Sequence, residues 1–221
     1  MVEIILNYIS IFLALMLVLP LHEFAHAFTA VKCGDMTPKA FGRYTINPFA
    51  HFNIFGLLSF ILVGFGWAKP VPINPSNFKH YKRGCFLTAI AGVVTNYILA
   101  FLAYPLFVVA SLYVPPFGYF TFVLVRALRY VVILSLSFIV FNLLPIYPLD
   151  GFRAIDAFSK KRSKFYWFLR TKGVYILLGL FGLSFLADIT GLWFLDVFGI
   201  FMDLAVKFIG YPIIAFWGLI F

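Results

Sequence analysis

Two histidines four residues apart flank a glutamate in the run His22-Glu23-Phe24-Ala25-His26. On a helix, positions i and i+4 share a face, so the two imidazoles can reach one metal ion while Glu23 stands beside them as a general base. Hydrolysis of an amide needs such a set. With four His and two Glu in the chain, the accidental chance of the pattern is on the order of one in a thousand. A catalytic zinc usually takes three protein ligands and a water, so one ligand has still to be found. A downstream glutamate is excluded, because Glu3 is the only other one and lies at the far end of the same helix. The longer pattern with a third histidine fails too, since Lys32 occupies its last position. His51, His80, Cys33, Cys85 and the aspartates remain. Of these, Asp150 is the best placed: Pro145 and Pro148 prevent a regular helix just before it, and Gly151 permits a turn that aims the carboxylate sideways. Its alternative role is to cap a helix starting at Gly151.

These groups sit in an unusually apolar chain. Hydrophobic residues make up 63% and charged residues 11%, with a mean hydropathy of +1.01, which is outside the range of a soluble domain and marks an integral membrane protein. A hydrocarbon core of about 30 Å needs about 20 helical residues. Stretches 4–31, 85–113, 121–144 and 173–187 qualify, and 192–221 is a fifth candidate interrupted by Asp203 and Lys207. The predicted fold is therefore an all-α polytopic membrane protein of about five transmembrane helices. The domain reading is a catalytic membrane core over 1–155 and a C-terminal transmembrane hairpin over 156–221. Residues 41–68 are too broken by Asn47-Pro48, Asn53, Gly56, Gly64 and Gly66 to span, and read as a re-entrant hairpin; an interfacial loop is the alternative.

The chain has 17 Lys and Arg against 8 Asp and Glu, a net charge of +9. Fourteen of the basic residues fall in two stretches, Lys32 to Arg83 and Arg153 to Lys172, while connections 114–120 and 188–196 have none. Basic loops stay in the cytoplasm, so the expected orientation is N-terminus outside, with the motif on the cytoplasmic side of a multi-pass cell-membrane protein. His22 and His26 then lie roughly 9–15 Å above Lys32 at the helical rise. Nucleic acid is not an expected partner, because no recognition motif or soluble domain is present to bind it. Cys33 and Cys85 are too few for a disulfide framework. An ion or proton transporter is the rival function, since intramembrane His, Glu and Asp also serve such paths.

The motif residues, taken with Asn142-x-x-Pro145-x-x-Pro148-x-Asp150-Gly151, resemble the site-2 protease family of intramembrane zinc metalloproteases, in its compact subgroup without a PDZ domain. The resemblance extends to Arg43 through His51, Gly66-Trp67-Ala68-Lys69-Pro70-Val71-Pro72, and Gly92-Val93-Val94-Thr95-Asn96, covering about the first 155 residues. It implies a three-helix catalytic core with a re-entrant β-hairpin after the first helix. It also implies one zinc ion on His22, His26 and Asp150, with Glu23 activating water. Asn142 would hold substrate or the developing oxyanion, with Asn96 and His51 as further substrate-site candidates; the plainer role of Asn142 is a bond to a neighbouring helix. The implied substrate is a transmembrane protein, cut in or near its membrane helix after pairing as an added strand on the hairpin. The chain departs from the family at Phe152, where many relatives have a second glycine.

Overall fold

Apolar runs hide their backbone polar groups from lipid most simply by becoming helices, and five long ones form here. The computed structural model describes residues 1–56, 59, 68–115, 118–159 and 163–221. The elements are α1 (Val2–Cys33), α2 (Thr37–Ala40), α3 (Pro48–His51), α4 (Tyr81–Tyr113), α5 (Tyr119–Leu143), α6 (Asp150–Asp156), α7 (Lys164–Thr190) and α8 (Val197–Trp217), with short 3₁₀ turns at Pro75–Asn77 and Trp193–Leu195. Among the described residues, α1, α4, α5, α7 and α8 are each long and apolar enough to cross a membrane. Helices α4 and α7 begin before the apolar runs do, at Tyr81 and Lys164 rather than near residues 85 and 173. Lys and Arg are good helix formers, so the hydrogen-bond ladder continues through the basic turns that flank each apolar run.

Helices α1, α4 and α5 pack closely along a seam of small and β-branched residues. Ala14 and Val18 of α1 meet Ala100 and Ala103 of α4 and Val131, Val132 and Ile139 of α5. Small side chains let helix backbones approach, which is the main source of helix association in lipid. Polar bonds pin the end far from the motif: Asn7 Oδ1 accepts from Arg126 Nη1 at 2.9 Å and from Tyr130 OH at 2.8 Å. On the outer side of this trio, α8 lays Gly210 against Leu136 and donates the Trp217 indole N–H to the Phe101 carbonyl at 3.0 Å.

The predicted β-hairpin over 41–68 does not form among the described residues. Asn47 accepts from the Phe49 N–H, and Pro48 opens the one-turn helix α3; Asn53 then accepts from Phe55 N and Gly56 N. Cap residues and a proline at N1 favour helical turns over strand here. The segment is closed by a single antiparallel bridge, Phe52 with Ala68, and by the Lys69 N–H on the His51 carbonyl at 2.8 Å. The rest of the expected hairpin, with Gly66 and Trp67, lies outside the described residues.

Beyond α1 the chain is tied down by one carboxylate. Asp35 is completely buried and accepts from the Thr37 N–H and hydroxyl, the Asn74 N–H (2.7 Å) and the Asn77 amide (2.8 Å). It thereby fastens the end of the motif helix to the irregular stretch that leads from Ala68 to α4. Burial alone would raise its pKa, but the bonds from Thr37, Asn77 and Asn74 outweigh burial and hold the carboxyl below its ordinary value.

Candidate metal centre

The motif lies in the last third of α1, with both histidines buried and facing α4 and α5. His22 Nε2 and His26 Nε2 stand 3.1 Å apart, and Asp150 Oδ2 is 3.3 Å from the first and 3.1 Å from the second. Three donor atoms from two distant parts of the sequence thus face a common point. Asp150 is the first residue of α6 and makes no side-chain cap to that helix. Its carboxylate is spent on the histidines. Pro145 and Pro148 keep 144–149 non-helical, which turns the chain from the end of α5 back towards α1.

The ring orientation of His26 is set from α4. Its Nδ1 lies 2.7 Å from the Thr88 carbonyl oxygen, and a carbonyl only accepts, so Nδ1 carries the hydrogen and Nε2 presents a bare lone pair. That lone pair faces the second imidazole and a carboxylate oxygen, an arrangement that repels itself unless a cation lies between. Ligands about 2.0–2.1 Å from a tetrahedral ion stand about 3.3 Å apart, which matches the observed spacing. His22 Nδ1 has no hydrogen-bond partner among the described residues, and Asp150 Oδ2 has none there beyond its approach to the two imidazoles. The two imidazoles and one carboxylate therefore fit a zinc ion, and His22, His26 and Asp150 form the group that could hold a metal among the described residues.

Close helix packing produces this geometry. A Cβ added at Gly92 of α4 would sit 2.4 Å from His22 Cε1 and 2.6 Å from His26 Nε2. Only a residue without a side chain fits there. Sequence reasoning placed Gly92 in a matching motif but gave it no role, and the Thr88 contact is made by backbone, which has no residue signature.

Glu23 points into the same cavity, which has a volume of about 230 Å³ and is lined also by Asn142 and Arg153. Its Oε2 accepts from the Val71 N–H at 3.2 Å, so the stretch after Ala68 crosses over the motif. Asn142 donates its amide to the Phe138 carbonyl at 3.0 Å, one turn back on α5. It lines the cavity with its helix bond made. Asn96 is wholly buried one turn beyond Gly92, and neither amide atom has a partner among the described residues. His51 is buried in the α3 turn, its Nε2 2.8 Å from the Thr45 carbonyl; neither Asn96 nor His51 is among the described lining residues of the cavity. Phe152 is buried against Tyr147 and Tyr166, which docks the turn after Asp150 onto α7.

The cavity opens in two directions. On one side is an apolar space of about 420 Å³ walled by Leu19, Phe138, Phe141 and, from α7, Leu177 and Phe181. On the other is a space of about 390 Å³ that includes Tyr147, Arg153, Asp156 and Arg170. There Asp156 accepts from the Tyr166 hydroxyl at 2.6 Å and lies 3.8 Å from Arg170, holding α6 against α7. Helix α7 thus walls both spaces beside the metal cavity.

The chain is similar over part of its length to two bacterial proteins. The chain is 42% identical over 137 residues to the protein named Putative zinc metalloprotease YwhC of Bacillus subtilis, a match covering 62% of this chain and 63% of the relative. It is 28% identical over 160 residues to Putative zinc metalloprotease Rip2 of Mycolicibacterium smegmatis, covering 68% of this chain and 59% of that protein. In both cases the match spans less than two thirds of the relative's length. No family model and no solved structure matches.

Proposed function

We propose that this chain is a member of the site-2 protease family, an intramembrane zinc metalloprotease that hydrolyses peptide bonds in or near the transmembrane helices of other membrane proteins. The observation that carries the proposal is the convergence of His22, His26 and Asp150 on one point beside Glu23. The relatives' names, each including zinc metalloprotease, support it.

Zinc held by these three side chains would supply Lewis acidity towards water and a peptide carbonyl. Glu23 does the proton work. With Oε2 held by the Val71 N–H, Oε1 takes the proton from water and later returns it to the leaving amine. The Asn142 side chain lies on the same cavity wall, where its amide can orient the substrate carbonyl. Thr88 keeps His26 in the tautomer that leaves Nε2 free.

A substrate helix hides its peptide bonds, so it must unwind locally before it can be cut. The apolar space beside α5 and α7 suits entry from lipid, and an unwound peptide entering the cavity would lie beside Ala68, Pro70, Val71 and Ile73, which line it. The basic loops support a cytoplasmic position for this site, with the polar space as the exit for a water-soluble product. The test combines metal analysis with cleavage of a transmembrane reporter in liposomes. Wild type should hold about one zinc per chain and cleave. Glu23→Gln should keep the zinc and lose about 10²- to 10⁴-fold in rate. A wild-type protein without zinc, or an equally active Glu23→Gln, refutes the reading.

A further inference from the structure

Four basic side chains border one cavity where α1 ends and α4 begins. It has a volume of about 380 Å³, and its lining includes Phe28 and Lys32 of α1, Lys79 and His80 on the approach to α4, and Arg83 and Leu87 of α4. Among the described residues no carboxylate lines it, and Lys32, Lys79 and Arg83 are in no salt bridge. Asp35, two residues past α1, is buried and taken up by Thr37, Asn74 and Asn77. Three permanent positive charges therefore share the cavity without a counter-charge.

One wall of the cavity is fixed by packing. The Lys79 N–H donates to the Cys33 carbonyl at 3.0 Å, and a Cβ added at Gly34 would lie 3.3 Å from Lys79 Cγ, so the lysine stem rests on the turn after α1. The lining also changes with depth. Phe28 precedes Lys32 by four residues and Leu87 follows Arg83 by four, so each apolar side chain lies about 6 Å further into its apolar run than the cation. Those runs end beside Lys32 and Arg83, which sets the cations at the edge of the hydrocarbon and the apolar floor inside it. A phospholipid has the same two levels, phosphate above acyl chain, and basic pockets between membrane helices suit acidic head groups. A soluble phosphate would meet the cations and leave Phe28, which is 42% exposed, uncovered. A lipid covers both.

We propose that this cavity binds an anionic phospholipid, with the head-group phosphate among Lys32, Lys79 and Arg83 and the acyl chains along Phe28 and Leu87. None of its described lining residues borders the metal cavity, so the lipid site is separate from the hydrolytic one.

The test titrates the purified full-length protein in neutral detergent with phosphatidylglycerol and counts bound lipid by native mass spectrometry. Phosphatidylcholine and glycerol phosphate are the comparison probes. Wild type should retain phosphatidylglycerol about tenfold more tightly than phosphatidylcholine, and glycerol phosphate should not displace it. The variant Lys32→Gln/Lys79→Gln/Arg83→Gln should bind phosphatidylglycerol more weakly by about tenfold or more. Lys39→Gln/Lys164→Gln/Lys172→Gln removes the same charge away from the cavity and should bind within about twofold of wild type. Leu87→Trp keeps every charge but fills the apolar floor, and should also weaken binding. Equal loss in the control variant would mean general surface charge, displacement by glycerol phosphate a site for phosphate alone, and equal retention of phosphatidylcholine a site blind to charge. Each of these overturns the proposal, as does undiminished binding by the first triple variant or by Leu87→Trp.

Discussion

Gly92→Ala tests the packing argument with a single methyl group. The added carbon would lie 2.4 Å from His22 Cε1, 2.6 Å from His22 Nδ1 and 2.6 Å from His26 Nε2. Ordinary carbon contacts start near about 3.4 Å, so either a ring or a helix must move by roughly 1 Å. The rings have little freedom, since His26 is held by the Thr88 carbonyl and both face Asp150. Metal sites tolerate displacements of about 0.2 Å in ligand distance, and a misplacement of about 1 Å can cost on the order of 10²-fold in rate. Overpacking should also lower stability by about 1–3 kcal/mol. The expected result is a folded protein with reduced zinc content and cleavage down by about 100-fold or more, read by elemental analysis and the reporter assay. Gly179→Ala and Gly182→Ala are the controls, as nothing among the described residues lies within 4 Å of a Cβ at either position. Alanine there should be neutral or stabilising by up to about 1 kcal/mol. If Gly92→Ala keeps full zinc and full rate, the close approach of α4 is not what fixes the ligands.

Removing the metal should loosen the whole site. A ligand at 1,000 times its dissociation constant stabilises by about 4 kcal/mol, so a chelator should lower the wild-type melting temperature, and Asp150→Ala should show almost none of that shift. Asp35 gives a prediction with pH. Its folded-state value is depressed, so its contribution is fully present above the unfolded value of about 3.9 and disappears as pH falls through the folded one. Asp35→Asn should therefore unfold more easily than wild type at pH 7, by about 2–4 kcal/mol because the new amide would face several donors. The difference should shrink in melts carried out below about pH 4; a constant difference across pH would show that charge on Asp35 is irrelevant.

The parts of the fold that were legible in the sequence are those decided by composition and short spacing. Long apolar runs must be helices in lipid, and His22 and His26 at i, i+4 must share a face. Asp150 was legible by elimination and by the prolines that free its segment from helix. The helix ends were not, because Lys82, Arg83 and Lys164 are polar yet continue a ladder that hydropathy cannot see. The helical turn at Asn47-Pro48 was not legible, because an Asn-Pro break in an apolar run suits a hairpin, an interfacial loop and a helix start alike, and the β-hairpin came from the family resemblance. Asp35 read as a loop residue just past the motif helix, although it is completely buried: its donors come from Thr37, Asn74 and Asn77, a convergence that exists only after folding. The part of α7 in the cavity wall escaped notice for the same reason.

The Thr88 carbonyl gives the second motif histidine a support that amino-acid replacement at that position cannot delete, since every residue has a carbonyl. Drift in the local sequence therefore leaves the tautomer of His26 intact. Mechanical force is another matter. A slide of α4 along its axis by a fraction of a turn would withdraw the acceptor and bring the next residue's flank against the rings. The centre is thus sheltered from point substitution at this contact and exposed to displacement, so anything that pushes on the long helix Tyr81–Tyr113 from either end acts directly on the histidine's readiness to bind.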